Sequence, residues 1–396
     1  MRTLWLADHL LVSERGHHVS YNGFIADSAR RAGMAVRILC ARECDAEVPG
    51  GFPMHRIFRK DWRNSPWPLL TRSRRTLDAL EIVARRRFEA DLRNNIGRQN
   101  IARDDIIFAE MLAPRNLVAW LRWFDCFPIQ SQPTLVLHVG YASERFGANK
   151  EIPVLLRQLE QSGKLSRAHF ATDSPMLKEK YEAIFRRPVT HLPLVISRHA
   201  SECYKPPGTS PHFVCLGNAR EEKGYVEILA AVDILHANGN PPDARFTLQS
   251  SYPDAASTTA LAAFRSAKAK SVSLIHQPLD DQSYLRLLTD ADVVLVPYYL
   301  NRYHDRTSGV FCEAMTAGKP VIATEDSFLG LEVAKQGIGW LVPDRDPASM
   351  ARVIRRAIDE LNTVAARCAE LMPHYKLLFH PDTFVSQLLA LADEKK

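Results

Sequence analysis

Two short stretches hold residue types that can handle an anion and a hydroxylated ligand together. In Tyr303-His304-Asp305-Arg306-Thr307-Ser308-Gly309-Val310-Phe311-Cys312-Glu313-Ala314, the residues Ser308, Gly309 and Val310 open an apolar helical run. Their backbone N–H groups and the helix dipole suit a phosphate without any metal. Glu313 follows one turn later, where a carboxylate accepts two hydroxyl hydrogen bonds, the arrangement that holds a ribose diol. The same residues admit a purely structural role, with Asp305 as helix cap, Glu313 in a surface ion pair and Gly318-Lys319-Pro320 as the helix stop.

The second stretch, Gly217-Asn218-Ala219-Arg220-Glu221-Glu222-Lys223-Gly224, follows a predicted strand and opens a helix. Arg220 and Lys223 are two cations near a helix start, able to stabilise a departing diphosphate electrostatically. The alternative is a charged, solvent-facing first turn. His138 ends a predicted buried strand and is either reactive or a satisfied core residue. Asp344-Arg345-Asp346 imitates an acidic metal-binding pair, but it precedes Pro347 and reads as a turn and helix cap. Cys40 and Cys44 lack two further ligands at zinc-like spacing, so no metal site is expected.

These residues need a scaffold, and the chain alternates strands with helices throughout. Thr3–Ala7, a helix over Tyr21–Ala32 stopped by Gly33, and the strand Ala35–Cys40 form a βαβ unit. Strands are expected at 105–109, 134–139, 168–172 and 191–195, with helices at 116–124 and 175–185. The run Lys205-Pro206-Pro207-Gly208-Thr209-Ser210-Pro211 is the densest group of breakers and marks a hinge. Beyond it the alternation resumes, with strands at 212–216, 245–248, 272–275 and 293–296 and helices at 225–237, 255–267, 281–288 and 347–361. At 396 residues, two α/β domains of roughly 150 to 200 residues each are expected. In such sheets a ligand binds at the carboxyl ends of the strands, here in the cleft between the halves.

Seven scattered cysteines, an acid at Asp8 soon after the N-terminus, and no long apolar run point to a soluble, cytoplasmic protein. The formal charge of +6 is concentrated in Arg56–Arg98, which holds twelve Lys or Arg against five Asp or Glu, interleaved with Trp62 and Trp67. That mixture fits either peripheral contact with an anionic membrane or a solvated helix face with half-buried aromatics. Neither half opens with a GxGxxG turn, which disfavours a nicotinamide dehydrogenase.

The Asp305–Pro320 segment resembles the EX7E region of the GT-B glycosyltransferases of family 4, in which a second Glu is followed by Ala and then Gly-x-Pro. Here Asp305, one methylene shorter than the family's first Glu, precedes Glu313-Ala314 by eight residues, and Gly318-Lys319-Pro320 follows. The resemblance gives Asp305 the donor-sugar contact and Glu313 the nucleotide ribose. The 217–224 stretch resembles the family's Gly-Arg-x-x-x-Lys-Gly region, with Asn218 in the place of Arg, Arg220 supplying that charge from two residues on, and Lys223 matching. Gly16 resembles the first-loop glycine that lets donor phosphate approach the backbone, and His138 the histidine at the reaction centre. His276 and Gln277 fall where the base-contacting loop would lie.

The resemblance implies an α/β fold of the GT-B type, two Rossmann-like doubly wound domains facing across a cleft. Their boundaries would be 1–205 on the acceptor side and 206–374 on the donor side, with 375–396 a helix crossing back. It implies donor contacts at Gly16, Arg220, Lys223, His276, Gln277, Ser308, Gly309, Val310 and Glu313, with His138 and Asp305 catalytic. The activity implied is retaining, metal-independent transfer from a nucleoside-diphosphate sugar to a glycan or lipid-linked acceptor, with no cofactor and no nucleic acid. Two rivals stay open: a GT-B-shaped nucleotide-sugar epimerase, and a catalytically silent scaffold that binds no donor.

Overall fold

The computed structural model describes residues 1–13, 18–59, 74–96, 99–141, 144–147, 149–196, 205–237 and 241–394. The chain divides into two compact units, Met1–Val195 with Pro381–Lys396, and Ile196–His380.

In the first unit, strands β1 (Thr3–Ala7), β2 (Ala35–Ala41), β3 (Met54–Phe58), β4 (Ile106–Ala109), β5 (Thr134–His138), β6 (Ala168–Thr172) and β7 (Val189–His191) form one sheet in the order β3-β2-β1-β4-β5-β6-β7. All of its pairings are parallel. Side chains that alternate along a strand face opposite layers. Trp5 and Ala7 of β1, with Ile107 and Ala109 of β4, therefore enter one core. Leu4, Leu6, Ile106 and Phe108 enter the other, where Phe384, Val385, Leu388 and Leu391 of the last helix, Pro381–Asp393, join them. A sheet buried on both faces this way reads as continuous apolar runs, which is why its central strands were visible in the sequence.

In the second unit, β8 (His212–Cys215), β9 (Arg245–Gln249), β10 (Val272–Ile275), β11 (Val293–Val296), β12 (Val321–Thr324) and β13 (Gly339–Val342) form a parallel sheet in the order β10-β9-β8-β11-β12-β13. In each unit the first strand lies centrally and the chain then builds outward on one side before crossing to the other. The order thus reverses between β1 and β4 and between β8 and β11, and at such switch points the strand ends splay to leave a crevice.

The breaker run was not the boundary: the units divide after Val195 and again after His380. Ile196 N–H donates to the Phe379 carbonyl at 3.0 Å, bringing the two crossing points together. Tyr375 lies inside the helix Pro347–Leu378, which runs far beyond the expected stop at Leu361. Its buried stripe of Ala351, Ile354, Ala357, Leu361, Ala365, Cys368 and Tyr375 continues at helical spacing, and Pro373 does not end it. Asp346 caps that helix, its carboxylate accepting from Ser349 N–H at 2.9 Å, as the turn reading of 344–346 requires.

The strand expected at 191–195 is instead Val189–His191, and the edge strand Met54–Phe58 and the helix Glu151–Gln161 had no sequence expectation. Much of the basic segment, 60–73 and 97–98, lies outside the described residues. Of the rest, Arg59 pairs with Asp91 at 2.8 Å, and Arg85 with Glu89 at 3.5 Å and with Glu151. No helix among the described residues is long and apolar enough to cross a membrane.

Candidate active site

The second unit's switch point gathers the donor-type residues. Past β8 the chain turns at Gly217, whose φ of +91° suits glycine and whose N–H donates to Gln249 Oε1 at 2.7 Å. A Cβ at Gly217 would lie 2.9 Å from Lys223 Nζ and 3.9 Å from Val310 Cγ2. The absent side chain leaves the space where the loop after β8, the lysine and the helix Gly309–Thr316 meet. Lys223 ends a 3-10 turn, Glu221–Lys223, and is followed by Gly224 in the left-handed region. At Gly224 a Cβ would stand 2.2 Å from the Pro297 carbonyl oxygen, so the turn that aims Lys223 closes only on glycine.

Lys223 Nζ sits over the Tyr298 ring at 5.8 Å. Burial pushes its ammonium below the usual lysine value, against the pull of Cys215, Glu222 and Glu313. Arg220 is exposed and paired with Glu222 at 3.5 Å, yet near enough to Lys223 to add to that lowering. The two cations are thus unequal, one enclosed at the strand ends and one at the surface.

Glu313 keeps partial solvent access while its carboxyl is packed within protein. Burial raises its pKa to about 7, held back by a hydrogen bond donated from Tyr284 Oη to its Oε2 and by the charge of Lys223. The carboxyl therefore titrates where a modest change in surroundings decides its charge. Ser308 precedes the helix in extended conformation, but its hydroxyl makes no capping bond and instead donates to Tyr298 Oη at 3.4 Å. The helix start is accordingly not closed by its own cap residue. Asp305 is 5% exposed, in the turn between Leu300–Tyr303 and this helix. His276 and Gln277 are exposed just past β10, which is separated from β8 by β9 in the sheet.

Tyr284, Gln249 and Tyr298 escaped the sequence reading. Tyr284 belongs to the helix Asp281–Asp290, and nothing in its spacing links it to a carboxylate twenty-nine positions on. Gln249 ends β9, where a polar residue closing an apolar strand was the available signal.

In the first unit, His138 ends β5 and is 2% exposed, with no hydrogen-bond partner for Nδ1 among the described residues. Burial, then the nearby His191, lowers its pKa to about 4, so the ring is neutral at physiological pH. Gly16 lies outside the described residues. Three further residues meet at the β1–β4 switch point: Asp8, His18 and Glu110. Asp8 Oδ1 accepts from Leu10 and Leu11 N–H at 2.9 and 3.1 Å, and its Oδ2 lies 2.8 Å from both His18 Nδ1 and Asn22 Nδ2. Burial, then the charges of Asp8 and Asp173, holds the Glu110 carboxyl well above the usual range.

Residues 210–360 match the family model described as Glycosyl transferases group 1. No curated protein sequence matches the chain. Among solved structures, a glycosyltransferase from Rickettsia africae superposes with a TM-score of 0.69 at 12% identity, covering 99% of this chain and 98% of that one. The sucrose-phosphate synthase of Thermosynechococcus elongatus gives 0.65 at 16% identity, covering 99% and 98%. The Anabaena protein Alr3699/HepE, solved with UDP and glucose, gives 0.62 at 14% identity over 100% of both chains.

At these identities the structural likeness is one of fold, and that fold is GT-B. The domain match adds the class: the second unit carries a group 1 glycosyltransferase domain, and the protein is a glycosyltransferase.

Proposed function

We propose that this enzyme transfers a sugar, with retention of anomeric configuration, from a nucleoside-diphosphate donor to a glycan or lipid-linked acceptor in cell-surface polysaccharide or glycolipid synthesis. The observation that carries the reading is the convergence of Gly217, Lys223, Val310 and Glu313 at the second switch point. Lys223, enclosed and cationic, supplies charge for a leaving diphosphate, assisted by Arg220 at the surface and by the N–H groups of 308–310. Glu313, when ionised, accepts from the ribose hydroxyls, and Asp305 contacts the transferred sugar.

Neutralisation by these groups is the reason for proposing that the leaving diphosphate requires no metal. With a neutral His138 and no protein nucleophile assigned, retention proceeds by front-face displacement in which the donor phosphate takes the acceptor's proton. His276 and Gln277 would contact the base. The complex of Alr3699/HepE with UDP and glucose makes a UDP-sugar the first donor to try. The basic segment 56–98 supports a cytoplasmic enzyme resting on the inner membrane face.

The test is proton NMR of the product formed from a UDP-, GDP- or ADP-sugar and a membrane-extract acceptor, with chelator present. An α-linked product from an α-donor supports the proposal. A β-linked product would end the retaining reading, and isomerised or free sugar without acceptor dependence would make the protein an epimerase.

A further inference from the structure

Lys223 lacks the charged partner that a half-buried lysine ordinarily has. Among the described residues its Nζ makes no hydrogen bond and no ion pair, and the contact it does make is with the face of the Tyr298 ring, 5.8 Å from the centroid. Glu222, its neighbour in the chain, turns instead to Arg220 at 3.5 Å and Arg302 at 3.8 Å. A carboxylate beside Lys223 would neutralise the ammonium and repel an incoming anion. An aromatic face attracts the ammonium through its quadrupole and cancels none of its charge. All three N–H donors of Lys223 therefore remain for a ligand.

Tyr298 is itself fixed. It is 2% exposed, and its ring packs against Tyr303 with centroids 4.6 Å apart and planes at 56°. Arg306 lies over the Tyr303 ring, 5.3 Å from its centroid, so cations and rings follow one another from Arg306 to Lys223. The Tyr298 hydroxyl accepts from Ser308 Oγ at 3.4 Å, which ties the ring's tip to the start of the helix Gly309–Thr316. The backbone is pinned as well: Tyr299 N–H donates to the Glu222 carbonyl at 3.0 Å, and Gly224 closes on the Pro297 carbonyl. Residues 297–299 follow β11, which pairs with β8 across the switch point, and form the bed on which the 221–224 turn lies.

We propose that Tyr298 is a positioning residue for the transfer reaction, its ring face holding Lys223 as an unneutralised cation where the donor's diphosphate departs. This rests on the donor-site reading above. Holding the lysine in place beforehand removes the cost of ordering a free side chain when the donor binds. It also fixes the charge where negative charge develops, at the leaving phosphate. Tyr298 itself acts through Lys223 and not on the substrate.

The experiment compares the wild type, Tyr298→Leu, Lys223→Ala and the double variant at pH 8 in chelator. Each is titrated calorimetrically with the nucleoside diphosphate that the wild type binds and, by ligand-observed proton NMR, with the corresponding nucleoside. Tyr298→Leu is expected to weaken diphosphate binding at least ~5-fold, the scale of one desolvated cation–π contact, with nucleoside binding unmoved. In the Lys223→Ala background the same substitution is expected to change nothing further. Tyr298→Phe, which keeps the ring, is expected to recover most of the loss. Should Tyr298→Leu fail to fold, Tyr298→Phe is compared with protein carrying 3,4,5-trifluorophenylalanine in its place, a ring of similar size whose face is far less negative; weaker diphosphate binding by the fluorinated ring is expected. Undiminished diphosphate affinity in Tyr298→Leu, an equal loss for nucleoside and diphosphate, a full effect in the Lys223→Ala background, or no difference between the two rings would overturn the proposal and leave the donor site standing. Wild-type protein that binds no nucleoside diphosphate would remove the donor-site reading, and this inference with it.

Discussion

Replacing Tyr284 by Phe removes one hydroxyl and isolates the link between Glu313's charge and donor binding. Tyr284 Oη donates to Glu313 Oε2 and helps hold that carboxyl at about 7 despite its burial. A hydrogen bond to a charged group contributes roughly 1.5–3 kcal/mol, and each pKa unit corresponds to about 1.36 kcal/mol, so its loss raises the Glu313 pKa by about one to two. At pH 7 the ionised fraction then falls from about one half to roughly 1–10%. If only the ionised carboxylate holds the ribose diol, the apparent dissociation constant rises in proportion, by roughly 5–50-fold.

At pH 9 the wild-type group is ionised and the variant's is at least about half ionised, so the two proteins converge to within about twofold. The assay is calorimetric titration of both proteins, between pH 6 and pH 9, with the nucleoside diphosphate that the wild type binds. Equal affinities at every pH would refute the coupling of Tyr284 to Glu313. A variant equally weak at every pH would show that the phenol holds the site's shape rather than its charge.

The same carboxyl leaves a trace in stability. Its pKa of about 7 in the fold, against an ordinary 4.5, means the folded state binds the proton more tightly, so its contribution is fully present below about pH 4.5 and is lost as pH rises through about 7. Glu313→Gln should therefore be relatively more stable at pH 8 than at pH 5, by a difference on the order of 3 kcal/mol at most, read from urea denaturation at the two pH values. Gly224→Ala should destabilise by more than ~1 kcal/mol, seen as a lower urea midpoint with an unchanged slope, because φ is +67° and the new Cβ meets the Pro297 carbonyl. Lys223→Ala should lower kcat by roughly 10²–10³-fold while leaving the fold's circular dichroism intact, the scale of losing one fixed stabiliser of transition-state charge.

Much of this architecture was legible because a doubly covered parallel sheet writes its strands as apolar runs. Val293–Val296 is buried at every position and could hardly be read otherwise. Glycines gave the turns, and Asp346 gave a helix start that the structure keeps. The edge strand Met54–Phe58 was illegible because only Ile57 and Phe58 are buried, which leaves no pattern to find. The unit boundary was misplaced because breakers mark where the backbone turns, whereas a boundary depends on which core claims each segment. Val195 packs with the first unit's core although the proline run comes later.

For the candidate site, Lys223 and Glu313 were legible as residue types next to a helix start. Arg220 and Lys223 were both read as cations near a helix start, Lys223 the better match, and the fold separates the exposed cation from the enclosed one. Asp8 and Glu110 were missed for a simpler reason. Each is a lone acid after an apolar strand, and they become neighbours only because β1 and β4 pair in the register Ala7 to Ala109.

The account's central claim is that the second unit's switch point binds a nucleoside diphosphate through Lys223 and Glu313. Its most direct test is calorimetric titration of the wild type and Glu313→Ala with UDP, GDP and ADP at pH 8, in chelator. The account predicts selective binding of one nucleotide by the wild type and at least a roughly tenfold loss in the variant, the equivalent of ~1.4 kcal/mol. Wild-type protein that binds none of the three, or a variant that binds as tightly as the wild type, would contradict it.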